Sequence, residues 1–293
     1  MFELLICDRI RPFLIYLILK KGRLDKTILI TNEEFIPNGK FREKICYKVL
    51  KKRKIFKFLY YKIQEIKIRI KFSDLLKKTT DKVYGQKHIF GISFLDRKKM
   101  IVLEDGIKDY FIDLSIKNRV REIFYKVPTI NSKKIEKYIF TGIEKIPNEI
   151  LNFEKINLVD EWKKLKLEEQ KNILKIFNVN TEELEELRSA TLLITQPLSE
   201  DGLISEKNKI KIYEKIIEEN KDEKIFLKTH PREITDYKIF NNINILEKNF
   251  PLELLLFLEI HPKKVVTLYS TVALDFKKIG IPTVWYGDKL EVI

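Results

Sequence analysis

Residues Lys224 to Glu233 read KIFLKTHPRE. Ile225, Phe226 and Leu227 form a short continuous apolar run, the pattern of a parallel strand buried on both faces. The run stops at Lys228-Thr229-His230-Pro231, where proline removes a ladder donor and biases its predecessor toward extended backbone. His230 therefore stands at the carboxyl end of a strand, where the chain leaves the sheet. In open α/β sheets ligands bind along that edge. A surface histidine at a turn would leave the same local pattern, so the neighbouring segments decide.

Strands and helices alternate on both sides of this stretch. Residues 190–195 read as a strand that ends in Gln196-Pro197-Leu198 and then Ser199-Glu200-Asp201-Gly202. A helix follows over 205–220, with Ser205 suited to its N-cap. After His230-Pro231 come a strand over 243–246, an apolar helix from Pro251 through Leu258 and a strand over 264–268. Tyr269-Ser270-Thr271 leads directly into a helix over 272–278, and 281–286 is a last strand. This order predicts a doubly wound, Rossmann-like half.

The first half begins the same way, with a strand over 2–6, a helix over 12–20 opened by Pro12, and a strand over 27–31. Residues 40–78 mix Lys with Ile, Phe and Tyr and are expected to be mainly helical. Within them 66–72 alternates Ile with Lys or Arg and fits a half-exposed strand equally well. Met100 to Leu103 is a buried-strand run that ends in Glu104-Asp105-Gly106. Adjacent carboxylates at a strand end are candidates for a general base, since each raises the other's pKa. An acidic turn with glycine at positive φ is the structural alternative. From Pro128 the strand rhythm weakens; 138–141 fits one more strand, Pro147 a turn and 159–177 two amphipathic helices. The domain boundary is expected near residue 150, giving α/β halves of 1–150 and 151–293.

Composition narrows the function classes. Lys+Arg 57 against Asp+Glu 43 gives a formal net charge of +14 in 293 residues, which favours polyanionic partners. The basic residues are spread along the chain and no nucleic-acid-binding motif appears, so nucleic acid is not the expected partner. Two cysteines, Cys7 and Cys46, form no disulfide framework or metal knuckle. The three histidines, His88, His230 and His261, contain no HExxH pair, so no metal site is expected. No secretory signal is evident, and the apolar run Phe13 to Leu19 is too short to span a bilayer, which predicts a cytoplasmic protein.

Three strand ends of the second half carry polar groups that can converge: Glu200/Asp201, His230 and Ser270/Thr271. A helix start offers unpaired N–H groups to a phosphate, and two hydroxyls there add donors. Their commoner use is as plain N-caps. Neither GxxxxGK[ST] nor GxGxxG occurs, so neither a P-loop ATPase nor a dinucleotide dehydrogenase is supported.

With these motifs in place, the chain resembles the bacterial sialyltransferases of glycosyltransferase family 52, which include lipooligosaccharide sialyltransferases. That group shares a D/E-D/E-G motif, a later His-Pro motif and a Ser/Thr pair; here they look like Glu104-Asp105-Gly106, His230-Pro231 and Ser270-Thr271. The likeness takes in the stretches 83–110 and 192–281. It implies a GT-B-like enzyme, two Rossmann-like domains facing across a cleft, the first on the acceptor side and the second binding the nucleotide sugar. It also implies CMP-N-acetylneuraminate as donor, a cell-surface glycan as acceptor, inversion, and neither cofactor nor metal. Under it Asp105, with Glu104 beside it, supplies the base, His230 assists the departing phosphate, and Gly106, Thr229, Pro231, Ser270 and Thr271 line the substrate. A second triplet, Glu200-Asp201-Gly202, makes Asp201 a reserve base, with Glu200 and Gly202 as substrate contacts. The usual acceptors of the family and the +14 balance add an expected peripheral contact with the inner face of the cell membrane. A homodimer is a further expected partner, and a polysialyltransferase or another nucleotide-sugar transferase is the alternative activity.

Overall fold

The computed structural model describes residues 1–49, 54–86, 98–111 and 132–287, so His88 and Pro128 lie outside the described residues. The chain divides into two compact units, Met1–Ile176 and Phe177–Ile293.

The first unit is built on a parallel sheet. Its strands are β1 (Phe2–Ile6), β2 (Thr27–Asn32), β3 (Glu43–Tyr47), β4 (Thr79–Gly85), β5 (Lys99–Leu103), β6 (Ile135–Phe140) and β7 (Phe153–Lys155). They lie in the order β3-β2-β1-β4-β5-β6-β7. Helices α1 (Ile10–Leu19), α2 (Lys54–Lys71), α3 (Ser73–Lys77), α4 (Leu158–Lys163) and α5 (Leu167–Ile176) belong to the same unit. From β1 the chain winds to β2 and β3 on one side, then returns to the other side at β4. The reversal between β1 and β4 is a topological switch point, where such sheets take their ligands.

Burial explains why these segments pair. Leu4, Leu5 and Ile6 of β1 and Ile28, Leu29 and Ile30 of β2 are at most 1% exposed, and each such side chain contributes roughly 1.5–3 kcal/mol. Helix α1 is apolar apart from Arg11 and buried from Pro12 to Ile18. It runs only 10 residues, as part of the core. Gly85 ends β4 against β1 so closely that a Cβ there would lie 2.2 Å from the Ile6 carbonyl oxygen.

The second unit repeats the winding. Strands β8 (Thr191–Ile194), β9 (Ile225–Lys228), β10 (Ile243–Ile245), β11 (Lys264–Thr267) and β12 (Thr283–Trp285) form a parallel sheet in the order β10-β9-β8-β11-β12. Helix α6 (Thr181–Glu185) leads into β8, and α7 (Glu206–Glu218), α8 (Glu253–Phe257) and α9 (Ala273–Lys278) lie between the strands. Ser205 caps α7 by accepting the Asn208 N–H at 3.2 Å, as its sequence predicts. Here the switch point falls between β8 and β11. Leu193, Leu227 and Val266 form the middle of the core on three adjacent strands.

Three expectations change. Residues 40–78 hold α2 and α3 as expected but open with an unexpected strand, β3, with Ile45 and Tyr47 buried and Lys44 turned partly to solvent. The ambiguous run 66–72 is the end of α2, where Ile68 alone is buried and Ile66 and Ile70 are exposed. The division near 150 moves to 176, because β7 pairs with β6 and α4 packs on α1.

Candidate active site

The carboxyl ends of the first sheet carry a connected polar row. Asp8 follows β1, and its Oδ2 accepts from Asn32 Nδ2 at 3.1 Å and from Tyr47 OH at 3.0 Å. Its backbone N–H donates to Gln86 Oε1 at 3.1 Å, just past β4. Gln86 in turn hydrogen-bonds the Asp105 carboxylate, just past β5. The row thus crosses the switch point and ends on Asp105.

Glu104 and Asp105 are neighbours with opposite fates, because successive side chains at a strand end point to opposite sides. Glu104 is 1% exposed. It accepts from Arg11 Nε at 3.0 Å, Tyr110 OH at 2.6 Å, and the Thr141 N–H and hydroxyl at 2.6 and 2.8 Å. The expected catalytic pair is thus split, with Glu104 turned inward and Asp105 at the surface. The Glu104 carboxylate is saturated inside the fold and braces the exits of β5 and β6. Asp105 is exposed as a residue, and protein crowds its carboxylate locally. Desolvation pushes its pKa up to about 6; Arg9 opposes the shift, Asp109 and Asp8 add repulsion, and the Gln86 hydrogen bond works against it. Gly106 follows at φ 151°, ψ −164°, a backbone region essentially reserved for glycine. The Asp105 N–H donates to Asp109 Oδ2 at 2.6 Å, which closes the turn.

In the second sheet the exits of β8, β9 and β11 are adjacent. His230 is half-buried past β9, and its Nδ1 accepts the Arg232 N–H at 3.1 Å. A ring nitrogen that accepts carries no proton, so this bond assigns the imidazole proton to Nε2. Arg232 also reaches the loop after β8, where both its terminal nitrogens meet Asp201, the second at 3.0 Å. That hydrogen bond lowers the Asp201 pKa from its ordinary value. Desolvation would raise the pKa of Glu200, yet donors from Lys209, the Ile234 N–H and Ser199 outweigh it and hold the group at about 2. Gly202, at φ +73°, turns the same loop toward α7. Glu200 and Asp201 are thus committed to partners in the fold.

Around His230 the loop is tied from below. Lys228 is 4% exposed and donates to the Thr229 and Lys248 carbonyls at 2.7 and 2.8 Å. Burial pulls its pKa down to about 8. Pro231 is exposed beside it. Past β11, Ser270 is buried and its N–H donates to Thr267 Oγ1 at 3.2 Å, while Thr271 is exposed. Helix α9 begins at Ala273 with Val272 in the cap position and no side-chain cap, so neither hydroxyl caps it.

The motif reading missed Asp8, Gln86, Lys209, Arg232 and Glu233. Asp8 was findable as the first charged residue after a buried strand. Lys209 stands in the apolar register of α7 with Ile212, Tyr213 and Ile216, and a lysine in that register signals a buried charge. Among the described residues, no group of three His, Cys, Asp or Glu is placed to hold a metal ion. Among them, too, no helix is long and apolar enough to cross a membrane.

Residues 15–285 match the family model of glycosyltransferase family 52. An uncharacterized protein of Haemophilus influenzae is 32% identical over 239 residues, 78% of this chain and 77% of that one. Among solved structures, an α/β-galactoside α-2,3-sialyltransferase of Photobacterium phosphoreum has a TM-score of 0.58 at 14% identity. The match covers 96% of this chain and 90% of that chain. A 2,6-sialyltransferase of Photobacterium sp. JT-ISH-224, solved with the donor product CMP and the acceptor substrate lactose, also has a TM-score of 0.58, at 11% identity. It covers 92% of this chain and 68% of that chain. The fold is GT-B-like, two parallel-sheet α/β units wound alike.

Proposed function

The chain belongs to glycosyltransferase family 52, and from that premise we propose that it is a sialyltransferase. It moves N-acetylneuraminate from CMP-sialate to the terminal galactose of a lipooligosaccharide-type glycan. The observation that carries this is that each unit presents one candidate group just past a parallel strand, Asp105 after β5 and His230 after β9, each one strand from the switch point of its own sheet. The similar structure that holds CMP and lactose supports a nucleotide-sugar donor and a glycan acceptor.

Asp105, with a pKa near 6, takes the proton of the acceptor hydroxyl. The hydroxyl oxygen forms the new bond to the anomeric carbon as the bond to the CMP phosphate breaks, and CMP leaves with that electron pair. Attack opposite the leaving group inverts the centre through an oxocarbenium-like transition state. His230 Nε2–H donates to the phosphate oxygen as its charge grows, and the Ser270 and Thr271 hydroxyls add donors. Asp201 stays with Arg232 and serves the His230 loop, not the acceptor. Neither a cofactor nor a metal is part of this route.

The work takes place at the inner face of the cell membrane, with the protein held by charge. Ile63, Ile66 and Ile70 of α2 are exposed at a spacing that lines one helix face, and the exposed Lys67 and Lys71 flank them. An apolar stripe among cations suits an anionic lipid surface.

Incubating the purified protein with CMP-sialate and a galactose-terminated acceptor tests the activity, with UDP- and GDP-sugars in parallel. Sialylated product is expected from CMP-sialate alone, and His230→Ala lowers turnover about 10²-fold or more. Turnover of another nucleotide sugar, or a fully active His230→Ala, overturns the assignment.

A further inference from the structure

Beneath the His230 loop lies a buried charge cluster that no step of the proposed reaction uses. Glu233 is 3% exposed, and four donors converge on its carboxylate. Oε1 accepts the His230 N–H at 2.7 Å and the Thr195 hydroxyl at 2.6 Å. Oε2 accepts the Tyr237 hydroxyl at 2.5 Å and the Lys209 ammonium at 2.9 Å. Lys209, itself 0% exposed, also donates to Glu200 at 2.8 and 3.1 Å. One ammonium thus ties the loop after β8, through Glu200, to the loop after β9, through Glu233.

Such a cluster is an expensive way to fill a core. Apolar residues of similar volume are often as stable or more so, whereas loss of one charged partner strands the other. What the charges provide here is direction. The Glu233 carboxylate fixes the His230 backbone, and the same turn brings the Arg232 N–H to His230 Nδ1. Strand β8 is held at its exit as well, since the Gln196 N–H donates to Tyr213 OH at 2.6 Å and Tyr213 packs edge-on against Tyr237.

We propose that the buried Lys209–Glu233 pair positions His230, holding its backbone so that Nδ1 stays an acceptor and the ring proton stays on Nε2 for the departing phosphate. Lys209 and Glu233 are positioning residues: they act through His230 and touch no substrate. The inference rests on the proposed sialyl transfer for its catalytic consequence, while the tautomer of His230 stands apart from it.

Both parts are measured on the full chain. Ring nitrogen spectra of the three histidines, assigned with His230→Ala, read the tautomer. Steady-state rates with CMP-sialate and a galactose-terminated acceptor read the consequence. Glu233→Gln is expected to shift His230 from one Nε2–H form to a mixture. Its kcat falls about 10-fold or more, while the KM for CMP-sialate stays within about threefold. His230→Ala/Glu233→Gln is expected to be no slower than His230→Ala alone, because a residue acting through another adds nothing once that other is gone.

If Glu233→Gln does not fold, Thr195→Val removes one donor to the same oxygen without changing size. It is expected to move the tautomer and kcat in the same direction by less. An unchanged tautomer in a folded variant overturns the positioning role, as does a loss that adds fully to that of His230→Ala. A wild type that does not turn over CMP-sialate overturns the proposed function instead, and the spectra still decide the role of Glu233.

Discussion

Arg232 binds Asp201 with its guanidinium and His230 with its backbone: both terminal nitrogens reach the Asp201 carboxylate, and its N–H donates to His230 Nδ1 at 3.1 Å. The two polar loops after β8 and β9 are therefore one structural unit. A carboxylate used this way is a poor base, since the hydrogen bond from Arg232 stabilises its ionised form.

The two acidic triplets separate on this point. Asp105→Asn is expected to abolish transfer while CMP-sialate still binds, because in the proposed reaction its carboxylate serves the acceptor. Asp201→Asn is expected to keep activity with a loss of about threefold to tenfold, through a looser His230 loop. Initial rates and donor titration on both variants make the test. A dead Asp201→Asn beside an active Asp105→Asn would exchange their roles.

The pH profile follows from the same carboxylate. The pKa of Asp105 is raised to about 6, so the fraction of active base rises as pH climbs through that value. Log kcat/KM is expected to rise with unit slope below about pH 6 and level off above it. Asp109 repels the Asp105 charge, so Asp109→Asn should lower that pKa and move the acid limb to lower pH. A limb that moves upward, or does not move, removes Asp105 as its origin.

Much of this was legible in the chain because parallel strands buried on both faces leave unbroken apolar runs. ELLI, TILI, MIVL, TLLI, IFL and VVTL all fall within or beside strands. Strand β4, TTDKVYG, leaves none; it lies between β1 and β5 with Asp81 and Lys82 exposed. Strand β7 has three exposed residues and shows itself only by pairing with β6. Glu104 and Asp105 could not be told apart in the sequence, since only the pleat decides which of two neighbours turns inward. Nor is a His-Pro pair sufficient by itself. His261-Pro262 repeats the dipeptide, but it precedes β11 and so stands at the amino edge, away from the switch point.

Acid stability of the second unit depends on Glu200. Its folded pKa of about 2 lies below the ordinary 4.5, so its contribution is fully present above pH 4.5 and is lost as pH falls toward 2. Glu200→Gln removes that dependence. The difference in Tm between wild type and variant is expected to be largest above pH 4.5 and to shrink steadily toward pH 2. A difference constant over that window would assign the variant's effect to packing and not to ionisation.

The α2 stripe makes the membrane proposal measurable. Ile63, Ile66 and Ile70 are 45%, 56% and 73% exposed, with Lys67 and Lys71 exposed beside them, on a chain of net charge +14. Each Lys or Arg close to an anionic leaflet contributes about 1 kcal/mol, and the attraction is screened beyond roughly 8 Å at physiological salt. A few cations together with the isoleucines therefore give attachment that is reversible and salt-sensitive. Pelleting with anionic vesicles is expected at low salt, with release at high salt and little pelleting with neutral vesicles. Ile66→Glu/Ile70→Glu should weaken the pelleting, because each change replaces inserted apolar surface with a charge the leaflet repels. Transfer to a soluble acceptor should be unchanged, since both side chains lie on the exposed face of α2. Equal, weak pelleting with both lipid types would leave the basic balance without a membrane role, and full pelleting of the double variant would move the contact away from α2.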